Sequence, residues 1–300
     1  MEVFLQHIIN GLSMGSVYGL VALGYTMVYG ILKLINFAHG DVYMLGAYFG
    51  FFFAHKLGFA ETPSLFGIVV VLILSMISCG IVGFLIERLA YRPLRHMPRI
   101  NLLITAIGVS LLLENGGQML FGVDPKFFPE MIESKILFSF GEVSISNFQV
   151  IIVAVSMIFM ILIQFVIFRT RVGKAMQAVS FNHTYASLMG INIDRIISFT
   201  FVLGSMLAAV GGILVRLAYP KIDPLMGIVF GLKAFVAAVL GGIGNIPGAI
   251  VGAMIMGLSE EMVVGYLSST YRDALAFLLL ILILLLRPAG LLGKKSAEKV

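Results

Sequence analysis

The chain is poor in cysteine and poor in charge. Among 300 residues there is one cysteine, Cys79, set in an apolar run. A single thiol builds neither a disulfide framework nor a metal cluster, so Cys79 is read as packing. Charged residues make up only 12% of the chain and hydrophobic residues 60%, giving a mean hydropathy of +1.05. A soluble domain cannot hide that much apolar surface, which leaves an integral membrane protein. Catalytic signatures are missing too: there is no Walker A loop, GxSxG turn, HExxH helix or CxxC pair. The five histidines (His7, His39, His55, His96 and His183) show no ligand spacing. No catalytic residue, bound metal or cofactor is therefore expected of this chain. The first residues lack a basic region and a small-residue cleavage site, so no removable signal peptide is expected. The net charge of +5 is read as basic loops on one side of a membrane, with no nucleic acid as partner.

A membrane-crossing helix needs about 20 mostly apolar residues. Nine apolar segments meet or approach that requirement: roughly 4–30, 41–53, 65–86, 102–121, 148–168, 196–217, 226–240, 249–264 and 273–286. Eight or nine crossings follow, with 226–240 and 249–264 able either to cross or to re-enter. The stretch from Ile35 to Asp41 is a polar break, and Gly241 to Gly248 is a second one that no continuous helix tolerates. Asp41 suits the N-cap of the second segment. The residues between segments are too few for a further domain, so 1–300 is read as one transmembrane domain.

Basic residues set orientation. With the C-terminus cytoplasmic, thirteen lysines and arginines fall on the inner side and six on the outer, with Lys233 left inside a segment. That places a proline-punctuated basic loop (Arg88 to Arg99), the stretch 169–195 and the basic tail 287–300 in the cytoplasm. The acidic segment 122–147 and the N-terminus lie outside. Within 169–195 a short helix is expected, with Ala175, Met176, Ala178 and Val179 as its apolar contacts and Gly190 as its stop.

Two features point to transport. Gly30-Ile-Leu and Gly212-Ile-Leu each precede a base and then Ile-Asn or Ile-Asp. An odd number of segments separates them, so the copies are inverted, as in many transporters with interrupted helices. Polar residues also sit inside apolar segments, where a charge costs roughly 2.5–3.5 kcal/mol on insertion scales. The candidate path residues are Asn36, His39, Gly40, Asp41, Glu114, Gln118, Lys233, Gly241, Gly242, Gly244 and Asn245. Lys233 is expected to pair with Glu260 or Glu114, and a structural ion pair or snorkelling is favoured for it over a path role.

The stretches Gly15 to Gly24, Ile35 to Tyr48, Met189 to Asn192, Lys233 to Ala249 and Arg287 to Gly293 closely resemble the LivH-type permease subunits of branched-chain amino-acid ABC importers. The likeness runs from about residue 4 to the C-terminus. It implies an all-α, type II-like importer permease in a bacterial inner membrane, moving leucine, isoleucine or valine inward. It further implies a second homologous permease, two ABC ATPase subunits that bind the ATP, and a periplasmic amino-acid-binding protein. In such permeases a cytoplasmic loop helix engages the ATPase. Carried onto this chain, the coupling residues are Gly173, Lys174, Ala175, Met176, Gln177, Ala178, Val179, Ser180, Phe181, Asn182, Ala186, Met189 and Gly190. Relatives often carry arginine where this chain has Gln177, which puts one charge contact in doubt. Related subunits serve urea and amides, and a secondary carrier using Asp41, Glu114 and Lys233 is a further alternative; an embedded enzyme using His39 and Asp41 lacks a third converging group.

Overall fold

The computed structural model describes residues 2–141 and 143–293; Glu142 and the tail lysines Lys294, Lys295 and Lys299 lie outside them. Helices dominate: α1 (Glu2–Leu32), α2 (His39–Lys56), α3 (Leu65–Ile86), α4 (Arg99–Phe121), α5 (Asn147–Arg169), α6 (Arg171–Phe181), α7 (His183–Leu188), α8 (Ile193–Ala218), α9 (Met226–Gly241), α10 (Ile246–Tyr266) and α11 (Arg272–Leu286). Among the described residues, seven helical stretches are long and apolar enough to cross a membrane. The other two apolar segments became α2, whose ends carry His39, Asp41, His55 and Lys56, and α9, which has only 16 residues. Each of them adjoins one of the polar breaks.

Side-chain caps start many of the helices. Ser146 and Gln149 form a capping box at α5, and Thr170, Asn182, Asn192 and Asn245 cap α6, α7, α8 and α10. Each satisfies backbone N–H groups that the first helical turn leaves unpaired. Asp41 does not cap α2, contrary to expectation. The helix begins two residues earlier behind Ala38, which makes no side-chain cap, so Asp41 sits inside the first turn and its carboxylate is free to reach another helix.

The long apolar helices alternate in direction, which gives the bundle two ends. One end gathers the breaks 33–38 and 242–245, the segment 87–98, α6 and α7. The other gathers the N-terminus and the turns 57–64, 219–225 and 267–271. It also holds two small antiparallel sheets. Strand β1 (Lys126–Phe127) pairs with β4 (Lys221–Ile222), and β2 (Ile136–Phe140) pairs with β3 (Val143–Ser146).

The inverted repeat is visible in the packing. Helix α1 lies most extensively against α10, and α8 most extensively against α3. If α1–α4 corresponds to α8–α11, these are the same contact in the two halves. The residue alignment read from sequence is out of register, however. Gly30 lies two residues before the end of α1, whereas Gly212 lies six before the end of α8. The relation holds between helices, and the shared Gly-Ile-Leu triplets do not occupy equivalent places. Helices α1 and α8 form the buried centre, while α4 and α11 lie at the periphery.

The segment after Ile86 differs from expectation as well. Instead of becoming a loop, α3 runs on through a π-helical turn (Glu87–Tyr91) and a short 3-10 turn (Arg92–Leu94). The wide turn rotates Glu87 and Tyr91 inward, and both are fully buried. Such π turns often mark functional positions.

Candidate functional site

The expected coupling stretch folds as two helices, α6 and α7. Gly173, Met176, Val179 and Ala186 are buried against the bundle, while Ala175, Ala178, Ser180 and Asn182 are half-buried and Lys174 is exposed. Gly190 ends α7 with φ +80°, a conformation that a side chain disfavours, and its N–H bonds Ser187 O at 2.9 Å. Two further bonds tie the unit down. Gln177 Nε2 donates to Ile167 O at 2.8 Å, and His183 Nε2 donates to Ile31 O at 3.1 Å. Gln177 therefore spends its amide on α5. The outward side of the unit carries large apolar groups: Phe181 is 87% exposed, Leu188 80% and Met189 78%. Arg169, Arg171 and Lys174 are exposed around them. Leu188 and Tyr185 belong to this surface although sequence reading passed over them.

Beside it, an ion network locks α3 to the start of α8. Asp194 takes Arg92 and, at 2.7 Å, Arg95; Arg95 also pairs with buried Glu87, to which Ser198 donates at 2.5 Å. Burial pulls the Arg95 guanidinium below its ordinary pKa, and the Asp194 carboxylate opposes that shift. Tyr91, from the same π turn, donates its hydroxyl to Asn36 Oδ1 at 2.8 Å. The π turn and its extension thus link the start of α8 to the first polar break.

The candidate path residues fall into three places. Asn36, His39, Gly40, Asp41 and Glu114 gather around the N-terminus of α2. His39 packs edge-on against Tyr25, with ring centroids 4.8 Å apart. Gly40 lies against Gly227 and Gly231 of α9, where a Cβ would strike backbone. Ser110 Oγ donates to Asp41 Oδ2 at 2.5 Å and lies 3.2 Å from Glu114 Oε1. One hydroxyl hydrogen cannot serve both carboxylates, so the nearer Asp41 takes it. A cavity of about 140 Å³ opens here, lined by Tyr25, Phe37, Asp41, Ser110, Glu114 and Phe235 among others. Gln118 lies one turn further along α4 and does not line it.

Lys233 stands apart from that cluster. Its ammonium is 2.9 Å from Glu260 Oε1 and 2.7 Å from Asp273. Of the two expected partners, Glu260 is the one chosen, and Glu114 belongs elsewhere. Tyr18 donates to Glu260 Oε2 at 2.7 Å, and Arg272 bridges Glu260 and Glu261.

Gly241, Gly242, Gly244 and Asn245 form the third place, at the end of the bundle that holds α6. Gly242 and Gly244 have φ of +108° and +91°, which turns the chain between α9 and α10. Leu291 and Leu292 N–H groups cap α9 through Leu240 O and Gly241 O, at 2.9 and 3.0 Å. Gly244 and Asn245 line a cavity of about 450 Å³ together with Lys33, Gln177 and Ser180. This break therefore belongs with α6 and does not join the Asp41 cluster.

Ser110 was legible in principle, since it precedes Glu114 by one helical turn. Tyr91, Tyr18 and Arg272 had no local signal. Among the described residues no group of three or more His, Cys, Asp or Glu is placed to hold a metal ion.

Comparison with known proteins bears on this geometry. Residues 7–284 match the family model described as "Branched-chain amino acid transport system / permease component". The chain is 42% identical to the high-affinity branched-chain amino acid transport system permease protein LivH of Salmonella typhimurium, over 99% of this chain and 98% of that protein. The same figures hold for LivH of Escherichia coli and for the permease protein BraD of Pseudomonas aeruginosa.

Proposed function

Because this chain belongs to the branched-chain amino acid transport system permease family, we propose that it is the membrane-spanning subunit of an ABC importer that carries leucine, isoleucine and valine inward. The single observation that carries the reading beyond family membership is the apolar outward surface of α6 and α7. Phe181, Leu188 and Met189 stand in solvent at the basic end of the bundle, where an unpartnered apolar patch marks a protein interface. Two ABC ATPase subunits would take that surface, one of them on a second, homologous permease. ATP binds to those subunits, and this chain itself catalyses no hydrolysis and holds no cofactor.

In this reading the basic end faces the cytoplasm of a bacterial inner membrane and the N-terminus faces the periplasm, where a binding protein delivers substrate. Closure of the ATPases pushes on α6 and α7. The Asp194–Arg95–Glu87 network and the Tyr91–Asn36 bond pass the movement to the break before α2. Helices α2 and α9 meet glycine to glycine there, so a small tilt changes the opening between them. The candidate path residues around Asp41 lie at that meeting point.

The test is reconstitution. Proteoliposomes holding this chain, its partner permease and the ATPases, supplied with binding protein and ATP, should accumulate leucine. The reading fails if leucine uptake is indifferent to ATP and collapses with an ionophore, or if the expressed chain never associates with an ABC ATPase.

A further inference from the structure

A cavity of about 270 Å³ lies among α1, α8, α9, α10 and α11 at the end of the bundle away from α6. Its volume is just under the ~300 Å³ at which pockets for drug-sized ligands begin, which suits a smaller guest. The wall has two characters. Met226, Val229 and neighbouring side chains of α8 and α9 make one side apolar. Arg216, Lys233 and Arg272 supply three cations against a single lining carboxylate, Glu260.

The charges are unequally engaged. Glu260 is saturated: Tyr18 donates to one oxygen, while Lys233 and Arg272 crowd the other at 2.9 and 3.2 Å. Lys233 and Arg272 have further carboxylates in Asp273 and Glu261. Arg216, on the α8 wall, has none within 4 Å among the described residues. One of its terminal nitrogens donates to Lys221 O, the other reaches the Tyr43 hydroxyl at 3.3 Å, and its Nε is buried without an acceptor. Its Nε is sealed from the cavity, so what Arg216 offers there is the outer edge of a guanidinium whose charge no carboxylate of the described residues neutralises, beside an apolar wall. Carboxylate is the planar oxyanion that arginine holds best.

We propose that this cavity is an entry site for a small aliphatic carboxylate, with Arg216 anchoring the carboxylate and Met226 and Val229 receiving the branched chain. The proposal rests on the transport reading for the identity of the guest. No carboxylate of the wall remains free for an ammonium, so the site reads the acid group and the hydrocarbon and ignores the amine.

The test uses the complete permease–ATPase complex in detergent without binding protein, and equilibrium dialysis with labelled leucine. Competitors are 4-methyl-2-oxopentanoate, which keeps the carboxylate and loses the amine, and 3-methylbutylamine, which does the reverse. The oxo acid should displace leucine and the amine should not. Arg216→Gln should weaken leucine binding tenfold or more. Val229→Phe, which fills the cavity and leaves every charge in place, should do the same, and it decides the matter if Arg216→Gln fails to assemble. The proposal is overturned if both variants bind like the parent, if the amine competes as well as the oxo acid, or if a complex that imports leucine shows no such binding. A complex that imports no branched-chain amino acid at all would instead overturn the transport reading.

Discussion

Lys233 and Glu260 meet 2.9 Å apart with side chains almost wholly buried, at 8% and 1% exposure. Removing one partner of such a pair leaves a stranded charge and costs about 3–5 kcal/mol, whereas removing both is often close to neutral. Glu260→Gln and Lys233→Met should each lower the melting temperature of the purified complex sharply. The double variant should melt above either single one. A double variant that melts below both would show that the pair is not the unit of stability, and that Tyr18, Arg272 and Asp273 hold each partner independently.

The meeting of α2 and α9 depends on the absence of side chains. A Cβ on Gly40 would strike Gly227 O and Gly231 Cα, both of them backbone atoms that cannot rotate away. Gly40→Val should therefore separate the helices at a cost of about 1–3 kcal/mol, the usual range for overpacking. Gly30, where a Cβ would meet nothing within 4 Å, serves as the control. Thermal unfolding of Gly40→Val and Gly30→Ala side by side measures the difference. Equal melting would mean that the two helices accommodate the extra bulk.

Tyr91→Phe isolates the link between the π turn and the first polar break. The ring remains buried beside Phe201, 5.3 Å away, and only the hydroxyl that donates to Asn36 is lost. A buried acceptor left unpaired costs about 1–3 kcal/mol. If this bond carries movement, ATP hydrolysis should continue while leucine uptake falls severalfold, a split that simple instability does not produce. Proportional loss of both activities would assign Tyr91 to stability alone.

The helices were legible because their signals are local. Apolar run length, a polar break and a basic flank placed each segment to within a few residues, and Gly190 and Gly242 stop or turn the chain as glycine should. The Lys233–Glu260 pair was also within reach, since both charges lie in neighbouring apolar segments with few candidates to choose from. Three findings were beyond local reading. Asp41 looked like a cap because a carboxylate at a helix start satisfies backbone N–H groups; only the position of α4 shows that Ser110 claims it. Arg95 looked like a member of a basic loop, and the π turn that buries its partner Glu87 has no sequence period of its own. Lys126 pairs with Ile222 across 96 residues of chain, and β bridges of two residues leave no alternation to detect. In each case the deciding partner is distant in sequence and close only after the helices pack.

The outward surface of α6 and α7 provides the sharpest remaining test. Phe181 at 87% and Leu188 at 80% exposure make few contacts within the chain, so replacing them should not disturb its own fold. Interfaces take most of their affinity from a few buried apolar or aromatic anchors, each worth about 2 kcal/mol or more, and 1.4 kcal/mol is about tenfold in affinity. Phe181→Asp should therefore weaken ATPase association by at least about tenfold, and Phe181→Asp with Leu188→Asp should abolish co-purification. Met176→Asp is the contrasting change. Met176 is buried on the inner side of α6, so its replacement should lower the melting temperature of the chain even when no ATPase is present. If the two exposed substitutions leave ATPase co-purification intact, the apolar surface is not the docking site, and the basic residues Arg169, Arg171 and Lys174 become the anchors to test.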